Sequence, residues 1–177
     1  GYRDAHRLMR RRMAILTGAG AIAALGGARV WGSRTRSAVG EEVRTIDAPG
    51  STAGHMQIPS VGSPMIVDLF ATWCAPCVTQ MGALAEAHAD HGHKVQFVSV
   101  TNERLGGGFD VADIAAWWRS HGGAWTVAVD EGSYVMRAVQ ATGLPYLVGF
   151  DAAGQIQGTH GGLASMAEIE SMVQAVG

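Results

Sequence analysis

The segment Met65–Ala71 (Met-Ile-Val-Asp-Leu-Phe-Ala) leads, through Thr72, into Trp73-Cys74-Ala75-Pro76-Cys77. Its β-branched and aromatic side chains suit a strand buried on both faces. Beyond the cysteines, Val78, Met81, Leu84, Ala85 and His88 recur at spacings of three and four. They predict an amphipathic helix that runs to about His91 and stops at Gly92. A buried strand thus turns into a helix at a Cys-x-x-Cys pair, and the remaining sequence goes on alternating strands with helices. Lys94–Thr101 predicts a second strand. Asp110 caps a helix carrying Ile114 and Trp117 or Trp118, which Gly122-Gly123 ends, and Trp125–Val129 is a third strand. Gly132–Ala141 reads as a short helix, and Tyr146–Phe150 with Gln155–Thr159 as a hairpin around Asp151-Ala-Ala-Gly154. Ser165-Met-Ala-Glu168 is a capping box that opens a final helix. Upstream, Val43–Asp47 and His55–Ile58 are short extended pieces separated by Pro-Gly-Ser, consistent with a small hairpin. The expected class is α/β with a partly parallel sheet.

The net charge of −2 over 177 residues conceals two opposite parts. Residues 1–37 hold eight arginines against Asp4, a net of +7, whereas the chain from Ala38 onward holds five basic and 14 acidic residues, a net of −9. Arg10–Arg12 precede the uncharged, Gly/Ala-rich Met13–Ala28, which is the layout of an export signal with a weak apolar region after paired arginines. Sixteen residues are short for a membrane span, which needs about 20. An uncleaved anchor reaching Trp31 is the alternative, and both readings put the body outside the cytoplasm. Residues 29–42 are Gly/Ser/Arg-rich and read as a linker. The expected organisation is a leader over 1–37 and one domain over 38–177. An acidic body with a single lysine argues against nucleic acid as a partner.

With only two cysteines, a disulfide-stapled mini-protein and a four-cysteine zinc site are excluded. Cys74 falls at the predicted N-terminus of a helix, where free N–H groups and the positive dipole end favour a thiolate. Cys77 lies one turn on, within reach of a disulfide, and Pro76 is tolerated because the first turn does not use its missing N–H. The spacing therefore favours Cys74 as nucleophile and Cys77 as its resolving partner. Zinc would need His88, His91 and His93, which cluster at the far end of the same helix and read as a solvated helix end. A structural disulfide across two residues would restrict the unfolded chain little.

Phe70-Ala-Thr-Trp-Cys-Ala-Pro-Cys77, followed by Thr142-Gly-Leu-Pro-Tyr146 and the Phe150–Gly154 turn, resembles the thioredoxin superfamily. Within it, residues 42–176 are most similar to the exported TlpA/ResA-like disulfide reductases, because a helix-strand insert separates the two motifs. The resemblance implies a thioredoxin fold: a central mixed β-sheet flanked by helices, with a short N-terminal β extension and that insert. It implies that Pro145 is cis and lies against the disulfide, with the backbone of Leu144 pairing to an extended substrate segment beside Trp73, Ala75 and Pro76. Cis peptides are largely confined to proline. It also implies disulfide-bonded protein substrates, among them apocytochrome or copper-site cysteines, and a membrane electron donor, since the chain carries no flavin or nicotinamide fingerprint.

Asp68 matches the buried aspartate of thioredoxins. In such a strand its pKa should rise by desolvation, and it is expected to exchange a proton with Cys77. Gln80 stands where this branch commonly has glutamate, and Gly82 where it often has proline, which leaves the proton to Asp68 alone. Trp73 is expected to pack beside the cysteines and shield the thiolate, and Trp117, Trp118 and Trp125 to be core or helix-facing aromatics. His160, placed in the turn Thr159-His160-Gly161-Gly162, offers a different class of function, copper binding together with Cys74 and Cys77. A disulfide oxidase is the remaining alternative.

Overall fold

The computed structural model describes residues 40–177; the expected leader, its cleavage or anchoring segment and most of the linker lie outside the described residues. The elements are β1 (Glu41–Thr45), β2 (Gly54–Ile58), β3 (Met65–Phe70), α1 (Ala75–His91), β4 (Gln96–Thr101), α2 (Val111–Ser120), β5 (Thr126–Val129), α3 (Tyr134–Ala138), β6 (Tyr146–Phe150), β7 (Ile156–Gly161) and α4 (Met166–Val176). The seven strands form one sheet in the order β2-β1-β5-β4-β3-β6-β7. β3, β4 and β5 run parallel, while β1, β6 and β7 each join an antiparallel neighbour. The sheet is therefore mixed, as the resemblance implied, and β1 with β2 forms the expected N-terminal hairpin.

All six residues of β3 are buried, because β4 and β6 flank it and both faces of the sheet are covered there. Strand side chains alternate between faces, so Ile66 and Phe70 join one core with Cys77, Met81 and Leu84 of α1, Trp118 of α2 and Ile169 of α4. Met65, Val67 and Leu69 join a second core with Val135 of α3 and with Val139. Asp68 shares the parity of Ile66 and Phe70, which puts a carboxyl group in the layer between β3 and α1.

Helix ends follow local chemistry. Asp110 accepts from the backbone N–H of Ala112 and Asp113, and Asp113 reaches back to the N–H of Asp110. Ser165 and Glu168 form the reciprocal pair expected from their spacing. Trp118 is fully buried and its indole N–H donates to the Pro49 carbonyl at 3.1 Å, joining α2 to the loop between β1 and β2. Gly123 leaves room for that ring, since a Cβ there would fall 2.2 Å from the indole.

Three expectations change. His88 is half-buried rather than at a solvated helix end: its ring meets Phe97 at 5.6 Å and Trp125 at 5.5 Å, because β4 and β5 pass beneath the end of α1. Burial pushes its pKa below the ordinary histidine value. His160 lies within β7, paired with Leu147 of β6, and not in the turn that follows. Trp73 borders a cleft beside Cys74 but is 73% exposed rather than packed in, because the turn closed by the Cys74 N–H on the Ala71 carbonyl carries it outward.

Candidate functional site

The site is assembled where β3 ends and α1 begins. Cys74 is the N-cap of α1, in extended conformation, and its carbonyl accepts from the N–H groups of Cys77 and Val78. Its side chain caps nothing, and the first turn of α1 carries no acidic residue. The positive end of the helix therefore meets no competing side-chain charge and favours a thiolate at Cys74. Cys74 and Cys77 form a disulfide with their Cα atoms 5.3 Å apart. Both are buried, Cys74 at the surface of a cleft and Cys77 beneath it, in the core that contains Ile66 and Phe70.

That cleft, about 440 Å³, is lined by Trp73, Cys74, Ala75, Pro76, Asn102, Met136, Gly143 and Leu144. The peptide between Leu144 and Pro145 is cis, as the resemblance implied; the one between Ile58 and Pro59 is also cis, which nothing in the sequence had indicated. Five of the sequence-selected residues thus meet in one cleft: Trp73, Cys74, Ala75, Pro76 and Leu144. Sequence reasoning missed Asn102 and Met136, which reach it from the end of β4 and from α3. Asn102 is held by a bond from its side-chain amide to the Ser133 hydroxyl at 3.2 Å.

In the layer between β3 and α1, Asp68 is 3% exposed and stands opposite Ser99 in the parallel register of β3 and β4. Ser99 donates its hydroxyl proton to Oδ2 at 3.0 Å, and Oδ1 has no hydrogen-bond partner among the described residues. Burial pushes the pKa of Asp68 up to about 7, the Ser99 hydrogen bond acting in the opposite direction. An acid with that pKa exchanges its proton near neutral pH, where such a group is most effective. Gln80, one turn beyond Cys77, is buried; its Oε1 accepts from the Ala164 N–H at 2.8 Å and its Nε2 has no hydrogen-bond partner among the described residues. It clamps the loop between β7 and α4 to α1.

His160 points elsewhere: its ring nitrogens lie 3.3 Å from the Leu163 carbonyl and 3.6 Å from Glu168. Among the described residues no group of three or more His, Cys, Asp or Glu side chains is arranged to hold a metal ion. Among the same residues no helix is long and apolar enough to cross a membrane.

Solved structures share the fold. The chain is similar to the dsbF protein of MTB, seen in mixed oxidised and reduced forms, with 19% identity, 80% of this chain and 98% of that one covered, and a TM-score of 0.67. It is similar to Etrx1, an exposed lipoprotein thioredoxin of Streptococcus pneumoniae, with 18% identity, coverage of 76% and 98%, and a TM-score of 0.63. A secreted Mycobacterium tuberculosis disulfide oxidoreductase homologous to DsbE of E. coli gives 18% identity, coverage of 74% and 94%, and a TM-score of 0.59. No curated protein matches the sequence. The sequence model of the redoxin family matches residues 56–174, from β2 through most of α4 and across both halves of the cleft, and with its paired cysteines the chain belongs to that family as a thioredoxin-fold thiol–disulfide oxidoreductase.

Proposed function

We propose that the domain over 38–177 is a protein disulfide reductase that works outside the cytoplasm, delivered there by the basic leader over 1–37 acting as an export signal or anchor. The observation that carries the reading is the Cys74–Cys77 pair at the start of α1, with Cys74 open to a cleft, and the buried Asp68 of β3 lies on the same face of the sheet as Ile66 and Phe70, which pack in one core with Cys77. In the reduced protein the Cys74 thiolate attacks one sulfur of a substrate disulfide. The other substrate sulfur leaves as a thiolate and takes a proton from water. Cys77 then gives its proton to Asp68, and its thiolate attacks the Cys74 sulfur. The second substrate sulfur departs and the Cys74–Cys77 disulfide forms. The substrate gains two electrons and the protein loses two, which a membrane dithiol donor returns. The backbone at Leu144 and Pro145 holds the substrate segment, with Trp73, Ala75 and Pro76 bordering it. Placement outside the cytoplasm is supported by the leader's charge pattern and by the exposed and secreted character of two structural relatives.

The direction of electron flow is tested by equilibrating the Cys74–Cys77 couple with glutathione. A potential near about −270 mV supports a reductase, and one near about −120 mV makes the protein an oxidase.

A further inference from the structure

We propose that Ser99 and Trp125 are positioning residues that direct the proton of the redox cycle onto one oxygen of Asp68, namely Oδ1. The proposal rests on the reading of Asp68 as the proton acceptor and adds the means by which the acceptor atom is selected. Trp125 donates its indole N–H to the Ser99 hydroxyl oxygen at 3.0 Å, and Ser99 donates to Oδ2 of Asp68 at 3.0 Å. Ser99 is fully buried, and Asp68 and Trp125 are each 3% exposed, so water does not compete along this chain.

The order of donors follows from their chemistry. An indole N–H only donates. With Trp125 pointing at it, the Ser99 oxygen is an acceptor on that side, and its single proton is turned to Asp68. Oδ2 therefore receives a hydrogen bond whether the carboxyl group is charged or neutral. A proton that reaches Asp68 has one open position, Oδ1, which has no hydrogen-bond partner among the described residues. The Cys77 thiol loses this proton and Asp68 gains it, while Ser99 and Trp125 keep their own. Without the indole N–H, the hydroxyl is free to rotate and accept from a protonated Oδ2. That arrangement stabilises the neutral acid and removes the selection.

Among the described residues no other charge in the layer substitutes for this chain. From α1 the inward groups are Cys77, here in its disulfide, and Gln80; from β6 the neighbour is Leu147, and from α4 the side chains are apolar. Glu103, after β4, is bound by Thr72 and Thr101. Asp130, after β5, accepts from the Val135 N–H, and Glu168 and Glu170 of α4 are engaged by Ser165 and by His91. His88 meets the Trp125 ring from α1 and makes no bond to Ser99.

The test is carboxyl-carbon NMR of Asp68 in the disulfide form, in which Cys77 carries no proton. The midpoint, about 7 in the native chain, is expected to rise in Ser99→Ala and to rise by less in Trp125→Phe. The double variant is expected to coincide with Ser99→Ala, because the indole acts only through the hydroxyl. A second readout covers a Trp125→Phe chain that does not fold: the Trp125 indole proton resonance should follow the Asp68 titration in the native chain and cease to follow it in Ser99→Ala. A Ser99→Ala midpoint equal to the native one overturns the proposal. So does a double variant that shifts by the sum of the singles, or an indole proton that ignores Asp68. These spectra read the hydrogen-bond chain without turnover, so they stand or fall separately from the role of Asp68 in the redox step.

Discussion

Glu103 holds Thr72 by two groups at once: its Oε1 accepts from the Thr72 backbone N–H at 3.3 Å and from the Thr72 hydroxyl, while its Oε2 accepts from Thr101 at 3.0 Å. Thr72 is two residues before Cys74, so this carboxylate ties the turn that sets the N-cap of α1 to the end of β4. Glu103→Ala removes three hydrogen bonds to a charged group and is expected to destabilise the protein by about 2 kcal/mol, read from urea denaturation. Alkylation of Cys74 in the reduced variant should also slow, since a looser turn presents the sulfur less steadily to the helix N-terminus. Unchanged stability together with unchanged alkylation would count against this role.

The two cysteines have different exposure to the cleft, and their serine variants should behave differently. Cys77→Ser is expected to accumulate a mixed disulfide between Cys74 and a model disulfide peptide, visible as a mass increase on non-reducing electrophoresis. Cys74→Ser should trap none. Equal trapping by both variants would reverse the assignment of nucleophile.

Burial raises the Asp68 pKa from 3.8 to about 7, so the ionised form above neutrality costs about 4 kcal/mol relative to the unfolded chain. A raised folded pKa means that stability from this group is complete below about pH 3.8, declines as pH rises towards about 7, and stays low beyond. Asp68→Asn should therefore gain stability over the native protein above pH 7 and lose that advantage in acid. The same variant should release substrate from the mixed disulfide more slowly at neutral pH. A stability difference that is the same at about pH 5 and about pH 8 would show that Asp68 does not titrate in this range.

Gln80 satisfies the buried Ala164 N–H. Gln80→Ala leaves that donor without an acceptor and opens space beside Cys77, and a loss of about 2 kcal/mol is expected in chemical denaturation. A loss under about 0.5 kcal/mol would indicate that water replaces the amide.

Much of this architecture is legible along the chain because its causes are local. The apolar run of β3, the three-and-four spacing of α1 and the Ser165–Glu168 box each act within a few residues, and all three appear where the spacing places them. The β1–β2 hairpin was also legible, but its docking on β5 was not, because Arg44 and Val129 meet only in the folded sheet. The same holds within the site. Asp68 announces itself as a carboxylate in an apolar strand, whereas Ser99 and Trp125 are unremarkable residues of other segments until the pairing of β3 with β4 and of β4 with β5 joins them. Likewise His88 reads as the end of an amphipathic stripe, and only the position of Phe97 and Trp125 reveals that its ring is covered.

The outermost strands bear on how a second protein can approach. β2 ends the sheet on one side with Gly54, His55 and Gln57 exposed, and β7 ends it on the other with Gln157 and Thr159 exposed. Short, polar margins of this kind resist extension by a foreign strand. Polar flanks of this kind leave the loop-lined end of the sheet, where Trp73, Cys74 and Leu144 border one cleft, as the face that a partner of the proposed function would meet.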